Sequence, residues 1–257
     1  MSIFFYADKK TIFHSLDPRI KILFLIILFV FSFIINDVRE MLVLLLFLVI
    51  VLIVSDSLLN LKKIAPLFLL IGIATFVLWF IFYRSSEKIY FFKNFYFYKG
   101  ALNHAGLFSL RFINMLLAGL LFLCITSYED FSYGLMLFGI PYPVSFTVLL
   151  SFKLADSFIS SAWTIAEAQK SRGNDVTKGS IVKRIIAYTP LVVPLILNGI
   201  KKAQNLIIAL ETRGFSPENR VDISGKYEIK IKDVIFIIFM FLSLIIYVFH
   251  KNVKLNV

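Results

Sequence analysis

Two arginines stand in the same local phrase. Ala168-Gln169-Lys170-Ser171-Arg172-Gly173 and Ala209-Leu210-Glu211-Thr212-Arg213-Gly214 both read Ala-x-x-x-Arg-Gly, 41 positions apart. The chemistry open to such a phrase is recognition. A guanidinium offers a planar fork of donors that fits a carboxylate or the carbonyls of a helix end. Alanine four positions earlier lies one turn back on the same helix face, so it leaves a shallow spot beside the arginine. Glycine after the last turn is a common left-handed stop. Arginine in a last turn also suits the negative end of the helix dipole, so a single copy reads as a helix cap. Two matched copies on consecutive helices read as two docking tips, each able to enter a groove on another protein.

Residues for other chemistry are sparse. His14, His104 and His250 are scattered without metal-ligand spacing. Cys124 is the single cysteine and sits in an apolar run, which leaves no disulfide framework and no cysteine metal site. There is no Gly-x-x-x-x-Gly-Lys-Ser/Thr loop, so ATP is not bound by that route. The apolar runs hold no paired acids and no nucleophile-base pair, against an intramembrane enzyme. They also lack the polar groups at mid-depth that a self-sufficient carrier or channel uses. The expectation is a protein with no catalytic residue, no cofactor and no metal site.

The elements that must position the tips are mostly membrane. The chain of 257 residues is 59% hydrophobic with mean hydropathy +0.85, above the roughly 45–50% apolar of soluble domains. A spanning helix needs about 20 apolar residues. Five runs approach that: Ile20–Ile35, Met41–Val54, Ile64–Tyr83, Ala101–Ser127 and the stretch Lys232–His250. The polar break Asn36–Glu40 makes the first two a tight hairpin, with one broken re-entrant element as the alternative. Arg111 is the one clear charge inside a span. It can pair with a helix end or a lipid headgroup, or hold helix packing together with Asn114 one turn along; the structural reading is preferred.

Five spans put the ends of the chain on opposite sides. With the N-terminus inside, inner segments hold 19 Lys and Arg and outer segments 7, in keeping with the positive-inside rule. That accounts for the net charge of +11 without nucleic acid. The basic loop Arg84–Gly100 runs against the trend. The expected divisions are 1–127 with about four spans, 128–231 as a cytoplasmic region, and 232–257 with the last span.

The region 128–231 is helical in pattern but too charged for lipid. Pro141-Tyr142-Pro143 separates a short helix from a long one over about Val144–Arg172. Val148, Phe152, Ala155, Ile159, Ala162 and Ala166 make one stripe along it. A second long helix over about Ser180–Arg213 carries Ile185, Thr189, Val192, Ile196, Gly199, Ala203, Leu206 and Leu210 in steps of four and three. Pro190 and Pro194 are placed to kink its first half. Small residues on both allow a close crossing. The expected fold is all-α: a polytopic membrane protein with one short and two long crossing helices.

With these residues in view, the chain resembles the transmembrane T component of energy-coupling factor (ECF) transporters, the CbiQ/EcfT family. Leu16-Asp17-Pro18-Arg19-Ile20-Lys21 resembles the family's opening before its first span. Arg111 through Thr126-Ser127, then Gly139-Ile140-Pro141, is similar to the segment before its coupling helices. The paired Arg-Gly phrases match its signature. Thr189-Pro190, Pro194, Ala203 and Ala209 through Phe215 match its last coupling helix. The departures are Ser171 and Thr212 where alanine usually precedes the arginine, and Lys153 and Asp156 where Arg-x-x-Pro is frequent. The resemblance implies a scaffold in the plasma membrane with cytoplasmic coupling helices crossed in an X. It implies that Arg172 and Arg213, flanked by Ala168 and Ala209 and stopped by Gly173 and Gly214, dock on two ABC-type ATPase subunits. It further implies a separate small membrane S component that binds a vitamin or transition-metal ion, and a coupling motion that topples it.

Overall fold

The computed structural model describes residues 11, 13–83, 88–92, 95–98, 100–173, 181–215 and 230–255. Among these the helices are α1 (Pro18–Ile34), α2 (Val38–Val54), α3 (Leu58–Phe82), α4 (Ala101–Ile125), α5 (Tyr128–Leu137), α6 (Tyr142–Ser171), α7 (Ile181–Thr212) and α8 (Ile231–Leu255). The fold is all-α apart from one hairpin, in which β1 (Lys88–Phe92) pairs antiparallel with β2 (Phe95–Tyr98). The hairpin lies in the stretch expected as the basic loop Arg84–Gly100, whose run of Ile, Tyr and Phe has strong strand preference. The described residues fall into two compact units, 135–215 in one and 11–134 with 230–255 in the other.

In the larger unit, α1 and α2 start by the same device. The Asp17 carboxylate accepts from the Arg19 amide at 2.8 Å, and Asp37 accepts from the Arg39 amide at 3.1 Å. An aspartate at this position satisfies an amide that the helix cannot. Both helices have 17 residues, about 26 Å at 1.5 Å per residue, a little short of a ~30 Å hydrocarbon core. Three residues, Ile35–Asp37, join them, so the tight hairpin is the arrangement found.

Helix α4 is the spine of this unit and packs on α1, α2 and α3. Leu117, Ala118, Leu120, Leu121, Cys124 and Ile125 meet Phe24, Ile27 and Leu28 of α1 and Leu48, Val51 and Leu52 of α2 in one buried cluster. Against α3, Ser109 Oγ donates to the Gly72 carbonyl at 2.8 Å, and Trp79 stacks on Phe108 with centroids 4.0 Å apart. A Cβ on Gly72 would sit 2.8 Å from Ile113 Cδ1, so a larger residue there would have to displace the end of the Ile113 side chain. Helix α8 lies along α1. The Asp17 amide donates to Asp233 Oδ1 at 3.4 Å at one end, and Lys251 Nζ donates to the Ile34 carbonyl at 2.6 Å at the other. The two helices therefore run parallel, and the chain enters α1 and leaves α8 at opposite ends of the unit.

By length and composition, five helical stretches could cross a membrane: Asn60–Phe82, Ala101–Ile125, Tyr142–Ser171, Tyr188–Thr212 and Ile231–Phe249. This set differs from the sequence-based one. It omits α1 and α2, which are too short to qualify, and includes α6 and most of α7. The two stretches from α6 and α7 have hydropathies of 1.2 and 1.3, against 2.1 to 2.5 for the other three. The protein is a multi-pass membrane protein on either set.

A buried ion pair ties α5 to α1. Lys21, 1% exposed, donates to Asp130 Oδ2 at 2.9 Å and to the His14 carbonyl at 2.9 Å. Gly134 sits against Pro18 and Ile22, where a Cβ would come within 2.8 Å of Ile22 Cδ1. In the sequence Lys21 counts only as an inner positive charge at the edge of the first apolar run and as the end of the Leu16–Lys21 phrase; its buried partner is not readable there. Removing one partner of a buried pair strands a charge, at about 3–5 kcal/mol. Lys21→Met is expected to lower the melting midpoint of the purified protein strongly. Lys21→Met with Asp130→Leu should recover much of the loss, as intrinsic-fluorescence melting would register.

Candidate functional site: the arginine-tipped helices

The second unit is built on α6 and α7, which run antiparallel. They meet midway along α6. Lys202 of α7 donates to the Ser157 carbonyl at 3.1 Å, to Ser157 Oγ at 2.7 Å and to Ser161 Oγ at 2.6 Å. Next to it, buried Gly199 receives the Phe158 ring. A Cβ on Gly199 would lie 2.3 Å from Phe158 Cε1. The close crossing expected from small residues is present, but it is a ring seated in a notch.

From this crossing the C-terminal half of α7 follows the N-terminal half of α6. Phe215, just past the second tip, stacks on Phe146 with centroids 4.7 Å apart and tilts against Tyr142 at 6.2 Å. The predicted stripe on α7 is only half used. Gly199 is buried, and Ala203, Leu206 and Leu210 are partly buried, whereas Thr189, Val192 and Ile196 are exposed. Ile185 lies outside the residues whose side chains are described. Pro190 and Pro194 stand inside this exposed half. A proline lacks the amide hydrogen and crowds the preceding turn, which limits straight packing to the part of α7 that follows.

Both Arg-Gly phrases end their helices as the chemistry of their residues dictates. The Arg172 amide reaches the Ala168 and Gln169 carbonyls, and Gly173 takes φ +87 with its amide on the Lys170 carbonyl at 3.0 Å. Gly214 takes φ +67, with its amide on the Glu211 carbonyl at 2.9 Å, while the Phe215 amide closes on the Leu210 carbonyl at 2.9 Å. A Cβ at either glycine would meet nothing within 4 Å, so glycine is needed for backbone sign alone. Ala168, Arg172, Gly173, Ala209, Arg213 and Gly214 are all exposed. Among the described residues neither guanidinium joins a salt bridge, although Glu167 and Glu211 are near in sequence.

The two tips are far apart. Phe146, which touches Phe215 beside the second tip, precedes Arg172 by 26 positions along α6, or about 39 Å of helix. The Arg213 tip is braced on α6 by Phe215. Among the described residues the last hydrogen bond between α6 and α7 is at Ser161, eleven positions before Arg172.

Arg111 and Asn114 belong to the other unit and to other work. Arg111 donates from Nε to the Ser32 carbonyl and from Nη2 to the Ile35 carbonyl, both at 2.8 Å, and lies over the Phe108 ring at 4.9 Å. Of the alternatives open in the sequence, its partner is a helix end. Asn114, wholly buried, donates to the Met41 carbonyl at 3.1 Å. Together they hold the α1–α2 turn from α4. Lys153 is exposed and Asp156 partly buried on α6. Lys202 and Phe158 were missed by sequence reasoning; a lysine one turn after an interfacial glycine, opposite a serine run, is the signal that was there.

A set of helices long and apolar enough to cross a membrane and a helix pair with two opposed, exposed arginines define a helical membrane protein with paired arginine tips. The model of the CbiQ family, described as cobalt transport protein, matches residues 9–223, and the chain belongs to that family. The chain is similar to the energy-coupling factor transporter transmembrane protein EcfT of Bacillus subtilis, 26% identical over 226 residues, 82% of this chain and 83% of the relative. It is 28% identical over 221 residues to the protein of that name from Brevibacillus brevis, with 82% and 83% covered. A third EcfT, from Exiguobacterium sibiricum, is 29% identical over 163 residues, 60% of this chain and 62% of the relative.

The two kinds of glycine are separable by mutation. Gly199→Ala is expected to destabilise the helix pair through collision with Phe158, and Phe158→Ala should suppress the effect. Gly173→Ala should leave the melting midpoint unchanged and loosen only the last turn, a penalty of about 1–2 kcal/mol for an L-residue in the left-handed region. Thermal melting and hydrogen exchange at 168–173 would separate the two.

Proposed function

We propose that this protein is the T component of an ECF-type ABC importer. In this reading it is a scaffold without a catalytic group of its own. It couples ATP hydrolysis by two associated ABC-type ATPase subunits, identical or homologous, to uptake through a small membrane S component that binds a vitamin or transition-metal ion. The observation that carries the reading is the pair of exposed Arg-Gly tips at opposed ends of α6 and α7. Their separation suits one tip per ATPase subunit, and the shallow Ala168 and Ala209 positions let a groove close over each guanidinium. The name of the EcfT relatives, energy-coupling factor transporter transmembrane protein, supports the same assignment.

The orientation follows from charge. Arg19, Lys21, Lys62 and Lys63 lie at one end of the membrane unit, with the start of α8 and its Lys230 and Lys232. Positive-inside placement of this end puts the N-terminus and the 128–231 coupling region in the cytoplasm, with 1–127 and 232–257 supplying the membrane helices. Arg111 and Asn114 serve the scaffold as structural residues within it.

Truncating one side of a buried, hydrogen-bonded charged contact costs about 2–5 kcal/mol, and reversing its sign costs more. Tagged protein extracted in mild detergent is therefore expected to bring two ABC-type ATPases and a small membrane protein, with ATPase activity in the eluate. Arg172→Glu with Arg213→Glu should lose the ATPases and the activity. Retention of the full complex by that double variant overturns the docking role. Solute movement by the chain alone in liposomes would point instead to a self-sufficient carrier or channel.

A further inference from the structure

The crossing of α6 and α7 is held by one cation in an unusual seat. An ammonium has three hydrogens and no acceptor, and Lys202 has three oxygens of α6 around it, at 2.6, 2.7 and 3.1 Å. Those oxygens sit in a serine cluster that is itself crowded. The Ser160 hydroxyl donates to the Ser157 carbonyl at 2.9 Å and the Ser161 hydroxyl donates to it at 2.8 Å. With their hydrogens committed there, the Ser161 lone pairs are free to face Lys202. Hydroxyls that bond back to a carbonyl one turn earlier compete with the helix ladder and often bend it. Thr147, Ser151, Thr164 and Ser171 do the same elsewhere on α6. Such back-bonds recur along α6, and the doubled site at Ser157 is where Lys202 of α7 meets it. Phe158 in the Gly199 notch blocks sliding along the same contact.

We propose that Lys202, with Ser157 and Ser161, is the pivot that fixes the two arginine tips relative to each other, so that displacement at one tip is passed to the other arm and not absorbed by bending of α6. Lys202 is a positioning residue; it touches neither docking surface. The inference rests on the docking reading above. It assigns different duties to the two arms. The Arg213 arm is braced by Phe215 on Phe146 and moves with the N-terminal half of α6, while the C-terminal half of α6, which ends at Arg172, is the lever beyond the pivot.

The test uses the full complex with its ATPases, with Cys124 replaced by alanine and nitroxides placed at Thr164→Cys and Gln204→Cys, both exposed sites outside the tips. The distance between the labels is read by pulsed electron paramagnetic resonance, with and without ATP and vanadate. In the otherwise unchanged protein the expected result is a narrow distribution that shifts when nucleotide is trapped. In Lys202→Met the complex should assemble and hydrolyse ATP within about twofold of that rate, while the distribution broadens and the nucleotide-linked shift is lost. Lys202→Arg, which can still reach several of the oxygens, should restore the shift. A Lys202→Met complex with the same narrow distribution and shift overturns the proposal. So does loss of the ATPases from that variant, which would make Lys202 a folding residue only. Absence of ATPases from the unchanged complex would instead defeat the docking reading, and the pivot's coupling role with it.

Discussion

A helix that ends inside or beside hydrocarbon leaves carbonyls with no water to bond, and this constraint organises the membrane unit. Helix α1 is short for a span, and its last carbonyls need donors from elsewhere. Arg111 of α4 supplies Ser32 and Ile35, and Lys251 of α8 supplies Ile34. Two cations on the negative end of one helix also suit its dipole. Because the donors come from α4 and α8, satisfying α1 docks three helices at once. The buried Asn114 then extends the clamp to Met41 at the start of α2. At the opposite end the same helix is tied to α5 by Lys21 and Asp130, and to α8 by Asp17 and Asp233. Polar bonds fix both ends of α1, and the apolar cluster between them needs no specificity of its own beyond fit.

The helix pair obeys a different logic. It holds few fully buried residues, and its long helices keep many apolar side chains exposed, among them Trp163, Val193, Leu197 and Ile208. Its geometry is set by local devices: a ring in a glycine notch, a lysine across a serine cluster, and an aromatic stack under one tip. Each is directional where general apolar packing is not. Such devices suit a part that must present two distant points accurately while resting on a narrow contact.

The fold class was legible because its signals are local. Apolar run length marks a span, and Pro141-Tyr142-Pro143 marks a break. The tips were legible because helix termination is decided within a few residues, and both glycines adopt the positive φ their position asks for. The extent of the α6–α7 contact was not. Steps of three and four along α7 continue from Ile185 to Leu210, yet of its described members only Gly199, Ala203, Leu206 and Leu210 are buried or partly buried, while Thr189, Val192 and Ile196 are exposed. A periodic stripe states which face is apolar; it does not state how far two tilted helices stay in reach.

By itself, the sequence determined that this is a helical membrane protein with two arginine-tipped helices outside its most apolar runs. Those properties depend on residues near one another along the chain. Tertiary structure alone decided which polar groups answer each other. Arg111 meets a helix end 76 positions away, Lys21 meets Asp130 across 109, and Lys202 meets Ser157 across 45. Each side chain has several possible partners when read along the chain. The choice among them follows from which helices pack together and from the high free energy of leaving any one donor or acceptor unmatched away from water.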